Sequence, residues 1–182
     1  MNLPNYLTLL RMLLSAAFVT SLIYYAPERA YFARAALALF ITACVTDAVD
    51  GFLARRFNLK TALGSVLDPI ADKLLLLSGF ISLSYLTNLP EAMRIPPWVT
   101  ITVITRDMLI AIGAGALFLS AGKFKVEPLF VGKLTTVSQM LAVFLSLVSA
   151  PEAVRMAALA GCTGLTVLSG VFYVRMAGRM LA

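Results

Sequence analysis

Two acidic pairs interrupt an otherwise apolar region of the chain, in the segments Asp47-Ala48-Val49-Asp50-Gly51 and Asp68-Pro69-Ile70-Ala71-Asp72. The 182 residues are 60% hydrophobic and 13% charged, which lies well outside the usual range for a soluble domain. The solvent for such a fold is a lipid bilayer. An acidic side chain inside a membrane span costs roughly 2.5–3.5 kcal/mol, so four acids close together indicate a site.

Apolar stretches of about 20 residues can cross the hydrocarbon core of a bilayer as helices. Six such stretches cover residues 5–26, 31–54, 63–87, 97–121, 126–149 and 152–175. The connections between them are short and carry turn residues. The sequence therefore predicts an all-α integral membrane protein, a six-transmembrane-helix bundle in which residues 1–182 form a single domain. A signal peptide is the alternative for the first stretch, but its cleavage would still leave a membrane protein.

The formal net charge of +6 comes from basic residues at many loop ends and not from one stripe, so we expect no nucleic-acid binding. With the N-terminus inside, nine of these residues lie on the cytoplasmic side: Arg11, Arg55, Arg56, Lys60, Lys123, Lys125, Lys133, Arg175 and Arg179. Four lie outside: Arg29, Arg34, Arg94 and Arg155. Because cytoplasmic loops carry the excess of positive charge, both termini are predicted to be cytoplasmic in a multi-pass inner-membrane protein. The cytoplasmic cations would also hold anionic lipid headgroups.

Helical spacing predicts where the acids point, because residues three and four apart share a helix face. One face of the second stretch carries Asp47, Asp50, Gly51 and Ala54, and one face of the third carries Gly64, Asp68 and Asp72. The hairpin at residues 55–60 brings the two helix ends side by side. Two acidic stripes that face each other would form a pocket, and the small residues would let a flat base or a phosphate approach the backbone.

Four carboxylates in a low dielectric repel one another, so they need compensating cations. Oxygen ligands suit a hard divalent ion such as Mg²⁺ or Mn²⁺. The chain has no histidine, so its chemistry must rest on carboxylates, lysine, arginine or hydroxyls. One alternative is a structural ion pair of an acid with Arg55, Arg56 or Lys73. Another is a cation or proton transporter, although the acids cluster at one membrane face and do not form a path.

The complete pattern, D-x-x-D-G-x-x-A-R-x8-G-x-x-x-D-x-x-x-D over residues 47–72, resembles the signature of the CDP-alcohol phosphatidyltransferases at every fixed position. The resemblance implies a six-helix, usually homodimeric fold with its active site open to the cytoplasm and CDP-diacylglycerol as donor. It implies that Asp47, Asp50 and Asp68 hold two Mg²⁺ or Mn²⁺ ions, that Asp72 shares their ligation, and that Asp72 is the general base. It also implies a set of donor-binding residues: Asn5, Thr8, Asp50, Gly51, Ala54, Arg55, Gly64 and Asp68.

The resemblance leaves the identity of the acceptor open. An anionic acceptor needs cationic anchors, and the candidates are Lys73, Arg106 and Lys133. The N-terminal segment and the block ending in Lys73 are similar to the family branch that uses glycerol-3-phosphate, which we favour. Arg106-Asp107 followed by apolar residues also resembles the branch that makes cardiolipin from phosphatidylglycerol. Arg106-Asp107 as an internal pair, and Lys133 as a snorkelling side chain, are the structural alternatives.

Small residues in the last stretches have two interpretations. Gly161, Gly164, Ser169 and Gly170 permit close helix approach, either at a dimer seam or within one subunit. The two cysteines, Cys44 and Cys162, lie in separate stretches and are predicted to be packing residues and not metal ligands.

Overall fold

The computed structural model describes residues 3–57, 62–121 and 130–181, and it is helical throughout these ranges apart from short turns. The long helices are α1 (Leu3–Ile23), α2 (Tyr31–Phe57), α3 (Ala62–Tyr85), α4 (Pro97–Ala121), α5 (Phe130–Leu147) and α6 (Glu152–Leu181). The predicted all-α fold is confirmed, and each predicted stretch corresponds to one helix. The start of the predicted fifth stretch, at residues 126–129, lies outside the described residues.

Several of these helices suit a bilayer. Within the described ranges, four segments are long and apolar enough to cross a membrane: Tyr31–Val49, Glu91–Gly113, Phe130–Leu147 and Glu152–Met176. Two shorter apolar segments, Thr8–Ile23 and Lys73–Tyr85, belong to α1 and α3. Together with the composition, these segments identify a membrane protein.

The chain divides into two compact units. The first comprises residues 1–94 with 146–149, and the second comprises residues 95–145 with 150–182. In the first unit α1 packs along both α2 and α3, while α2 and α3 approach each other at few positions. Aromatic packing joins α1 to α2, because the ring centroids of Phe18 and Phe40 lie 5.8 Å apart and both side chains are buried.

The segment after α3 is tied to the end of α1 by one side chain. The amide of Asn88 donates to the carbonyl oxygens of Leu22 at 2.9 Å and Tyr25 at 2.8 Å. The last carbonyls of a helix have no partner within that helix, and Asn88 supplies a donor to carbonyl oxygens at and just after the end of α1, where Leu22 also accepts from the Tyr25 N–H at 3.3 Å. The guanidinium of Arg94 donates to the Thr87 carbonyl oxygen at 2.6 Å and closes the same segment on itself.

In the second unit, α4 packs against α6. The buried side chains of this unit include Val99 and Val103 on α4 and Leu159 on α6. Cys162 on α6 is also fully buried, in keeping with the predicted packing role. A hydroxyl joins α5 to α6, since Thr135 Oγ1 lies 3.2 Å from the carbonyl oxygen of Leu165.

Candidate active site

The backbone places the acids on two helices with the predicted spacing. Asp47 and Asp50 lie three residues apart in α2, and Asp68 and Asp72 lie four apart in α3. Each pair therefore shares one helix face. The side chains of Asp50, Asp68 and Asp72 lie outside the part that the structure describes, as do residues 58–61 of the hairpin. The surroundings of several predicted donor residues lie outside that part as well: Asn5, Gly51, Ala54, Arg55 and Gly64.

Asp47 forms a salt bridge with a residue of α1. Its Oδ1 lies 2.7 Å from Nη1 of Arg11, whose side chain is 1% exposed. A buried guanidinium is costly unless an opposite charge lies close, so Asp47 offsets the burial of Arg11. The Asp47 side chain remains 38% exposed, which leaves its carboxylate accessible to a ligand.

The prediction for Arg11 was incomplete. From the sequence, Arg11 is predicted only as a cytoplasmic charge, whereas the structure places it beside the first acid of the motif. One signal could have found it: Arg11 is the one charged residue in the mainly apolar helix α1, where a lone cation is costly and requires a partner.

Arg11 belongs to a buried polar stripe on α1. Thr8, predicted as a donor contact, is 1% exposed and lies three residues before Arg11 on the same face. Ser15 follows four residues later, is buried, and donates through Oγ to the Arg11 carbonyl oxygen at 2.8 Å. The N-terminal helix therefore carries polar groups on the face that includes the salt bridge to α2.

The fit of a metal ion depends on the donor set. Among the side chains that the structure describes, no three acidic, histidine or cysteine residues form a cluster, because Asp47 is the one motif acid in that part. The motif offers carboxylate oxygens only, and the side chain of Asp47 is partly exposed. These features suit a hard divalent ion such as Mg²⁺ or Mn²⁺.

The predicted acceptor cations have different environments. Arg106 on α4 is 7% exposed, and its Nη1 lies 2.8 Å from Oδ1 of the neighbouring Asp107. The internal pair that the sequence allowed is therefore present. In the same unit Lys133 on α5 is exposed, and in the first unit Lys73 on α3 is half-buried.

Arg106 also contacts α6 and lines a cavity. Its Nη2 donates to Ser169 Oγ at 2.5 Å, and its Cζ lies 5.7 Å from the centre of the Tyr173 ring. The cavity has a volume of about 560 Å³ and lies between α4 and α6. Its walls are mainly apolar, and the polar side chains among them are Thr102, Thr105, Arg106, Thr166 and Arg175. A buried cation at an apolar cavity suits an anionic ligand.

The small residues of α6 divide into two groups. Ser169 and Gly170 are buried, and a Cβ on Gly170 would lie 3.6 Å from Cγ of Arg106, so both pack within the subunit. A Cβ on Gly161 or Gly164 would meet nothing within 4 Å, and both glycines are exposed.

Comparison with known proteins gives a consistent result. The sequence model of the family described as CDP-alcohol phosphatidyltransferase matches residues 1–169. A protein of Mycobacterium tuberculosis H37Rv named probable phosphatidylglycerophosphate synthase is 38% identical over 98% of this chain and 82% of its own length. Two proteins named CDP-diacylglycerol–glycerol-3-phosphate 3-phosphatidyltransferase are each 36% identical. The Aquifex aeolicus protein covers 82% of this chain and 75% of its own length, and the Escherichia coli K12 protein covers 78% and 74%.

Proposed function

Because the chain belongs to the CDP-alcohol phosphatidyltransferase family, we propose that it transfers the phosphatidyl group of CDP-diacylglycerol to glycerol-3-phosphate and releases CMP. One observation carries the choice of acceptor. Relatives that are 36–38% identical over most of the chain are named for phosphatidylglycerophosphate synthesis or for this transfer. The product, phosphatidylglycerophosphate, would make the protein an enzyme of phospholipid biosynthesis.

In this proposal the four motif acids have different roles. Asp47, Asp50 and Asp68 would hold two Mg²⁺ or Mn²⁺ ions, with Asp72 sharing the ligation. When bound, such ions neutralise charge on the donor diphosphate and on the departing CMP. Arg11 would keep Asp47 in place through the 2.7 Å salt bridge.

Asp72 would act as the general base. It would accept the proton of an acceptor hydroxyl while the hydroxyl oxygen forms a bond to the phosphorus of the phosphatidyl group. The bond between that phosphorus and the bridging oxygen of CMP breaks, and CMP leaves with the electron pair. A carboxylate is a weak base, so Asp72 would contribute mainly through its position.

Donor and acceptor would use different residues. The small residues Gly51, Ala54 and Gly64 would admit the cytidine and phosphates, and Asn5, Thr8 and Arg55 would add polar contacts. The acceptor phosphate would bind cationic side chains, for which Arg106 and Lys133 are candidates in the second unit. Lys73, which directly follows Asp72 on α3, is the candidate in the first unit.

We further propose that all six helices span the inner membrane, with both termini and the active site on the cytoplasmic side. The excess of positive charge, nine residues against four, supports this orientation. We propose that the whole chain acts as one catalytic domain and that it functions as a homodimer. The open, exposed faces of Gly161 and Gly164 on α6 are compatible with a close helix contact between subunits.

The acceptor can be tested with purified protein in detergent micelles. CDP-diacylglycerol and Mn²⁺ would be supplied with glycerol-3-phosphate or with phosphatidylglycerol, and lipid products and CMP would be quantified. We expect phosphatidylglycerophosphate from the first acceptor and no cardiolipin from the second. Cardiolipin from phosphatidylglycerol, with no product from glycerol-3-phosphate, would contradict the proposal and favour the cardiolipin branch.

The base assignment needs its own variant. Asp72→Asn keeps the size of the side chain but removes its capacity to take a proton, so we expect CMP release to fall by at least about a hundredfold. Glu28→Gln, at an exposed carboxylate between α1 and α2, is the matched control and should retain full activity. Unchanged CMP release by Asp72→Asn would contradict the assignment.

A further inference from the structure

Side chains of α6 hold the guanidinium of Arg106 at two points. Ser169 Oγ accepts a hydrogen bond from Nη2 at 2.5 Å, and the Tyr173 ring lies under the guanidinium at 5.7 Å from Cζ. Gly170, next to Ser169, leaves room for the stem of the arginine, since a Cβ there would lie 3.6 Å from Cγ. The hydrogen bond and the cation–π contact together restrict the guanidinium to one location.

Gly132 on α5 lies close to both Tyr173 and Arg106. A Cβ on Gly132 would lie 3.4 Å from Oη of Tyr173 and 3.6 Å from Nη2 of Arg106. A methyl group would therefore just fit, and any larger side chain would displace the tyrosine or the arginine. We call Gly132, Ser169 and Tyr173 the Arg106 cradle.

The guanidinium retains hydrogen-bonding capacity inside the cradle. An arginine has five N–H donors, and the contacts to Asp107 and Ser169 engage Nη1 and Nη2. Nε is buried and has no hydrogen-bond partner among the described residues. A buried N–H without an acceptor is costly, so an oxygen atom of a bound anion would improve this site. Arg106 also lines the cavity between α4 and α6, which gives a ligand room to approach.

The cradle also limits competition from Asp107. Arginine and carboxylate readily form two parallel hydrogen bonds, and such a pair would engage two donors of Arg106 that a bound anion could otherwise use. Asp107 contacts Nη1, whereas Ser169 holds Nη2. The serine therefore keeps the guanidinium from turning fully toward Asp107.

We propose that Ser169 and Tyr173 are positioning residues that hold Arg106 ready for the phosphate group of the acceptor and so determine the affinity for glycerol-3-phosphate. The inference rests on the proposed function, because it needs a phosphorylated acceptor. It adds two α6 residues that the sequence motif does not include.

Steady-state kinetics of two variants test this inference. Ser169→Ala removes the hydrogen-bond acceptor, and Tyr173→Leu removes the ring. For each we expect the KM for glycerol-3-phosphate to rise about tenfold. The kcat and the KM for CDP-diacylglycerol should change by less than about twofold, because Ser169 and Tyr173 act through Arg106, which is assigned to the acceptor phosphate and not to the donor. The inhibition constant of inorganic phosphate, measured against glycerol-3-phosphate, should rise by the same factor as the KM.

Conservative variants serve as controls. Tyr173→Phe keeps the ring and should retain the KM of the unmodified protein. Thr163→Ala also removes a hydroxyl from α6, but this hydroxyl donates to its own helix at the Leu159 carbonyl oxygen, so the KM should not change. If Ser169→Ala does not fold, the comparison of Tyr173→Leu with Tyr173→Phe decides the question.

Two outcomes would overturn the inference while leaving the proposed function intact. One is an active Tyr173→Leu variant with an unchanged KM for glycerol-3-phosphate. The other is a fall in kcat with both KM values unchanged, which would indicate a general structural effect. Failure of the unmodified protein to use glycerol-3-phosphate is a distinct result, and it would overturn the proposed function itself.

Discussion

Arg11 on α1 and Asp47 on α2 are joined by a salt bridge with an Nη1 to Oδ1 distance of 2.7 Å. The guanidinium is almost completely buried, while the carboxylate is partly exposed. The pair connects the N-terminal helix directly to the first acid of the motif. It therefore gives a physical reason to include the N-terminal helix, which is far from the motif in sequence, in the proposed site.

Substitution of Arg11 should lower the stability of the protein and should also strengthen its response to a divalent ion. Arg11→Met leaves the nearby carboxylate without its cation, so we expect the free energy of unfolding to fall by about 1–3 kcal/mol in the absence of metal. A divalent ion would then meet less repulsion at Asp47, and Mn²⁺ should raise the melting temperature of Arg11→Met more than that of the unmodified protein. Thermal unfolding in detergent, with Mn²⁺ and with EDTA, measures both effects.

The charge-conserving variant is the control for this prediction. Arg11→Lys keeps the positive charge but loses the planar guanidinium, so its response to Mn²⁺ should be close to that of the unmodified protein. If Mn²⁺ raises the melting temperatures of Arg11→Met and the unmodified protein equally, the salt bridge and the metal do not share Asp47.

The pair of Arg106 and Asp107 should be sensitive to the loss of one partner. Asp107→Ala leaves a buried cation without its neighbouring carboxylate, and we expect a loss of stability of about 3–5 kcal/mol. The double variant Arg106→Met with Asp107→Leu removes both charges and should recover most of that loss. Unfolding of the two variants in the same detergent provides the comparison, and a double variant as unstable as Asp107→Ala would contradict an ion-pair effect.

Asn88 should stabilise the first unit through its side-chain amide. The amide donates to carbonyl oxygens at the end of α1, so Asn88→Ala should lower the free energy of unfolding by about 1–3 kcal/mol. Asn88→Asp is nearly isosteric but places a carboxylate against these carbonyls, and it should be at least as destabilising. Equal melting temperatures for Asn88→Asp and the unmodified protein would show that these bonds contribute little.

The proposed membrane orientation predicts which positions a membrane-impermeant maleimide can reach in intact spheroplasts. In a background with Cys44→Ala and Cys162→Ala, we expect labelling of Glu28→Cys and Glu152→Cys, which lie at outer ends of helices in the proposed topology. Lys60→Cys, in the proposed cytoplasmic hairpin, should be labelled only after lysis. Labelling of Lys60→Cys in intact spheroplasts would contradict the proposed orientation.

The sequence predicted the helices well because membrane helices follow simple rules of length and polarity. The stretch at 97–121 coincides with α4, and α2 extends only three residues beyond the predicted end at 54. The spacing of Asp47 and Asp50 on one helix face follows directly from helical periodicity. These features depend on local sequence, and local sequence was sufficient for them.

Contacts between distant segments were not predictable in the same way. Arg11 and Asp47 are 36 positions apart, and periodicity along one helix does not determine which face another helix contacts. Likewise, the sequence predicts Ser169 only as a small packing residue, whereas its hydroxyl binds Arg106. In both contacts a polar side chain accepts from a buried arginine. A search for partners of each intramembrane arginine could therefore have suggested that such contacts exist, but not which residues make them.

The stoichiometry of CMP and phosphatidylglycerophosphate formation tests whether the protein transfers a phosphatidyl group to glycerol-3-phosphate at the motif acids. With CDP-diacylglycerol, glycerol-3-phosphate and Mn²⁺, we expect the unmodified protein to form the two products in equal amounts. We also expect EDTA or Asp68→Asn to abolish both products, whereas Glu28→Gln should retain them. CMP release without phosphatidylglycerophosphate, or undiminished synthesis by Asp68→Asn, would contradict the proposed function.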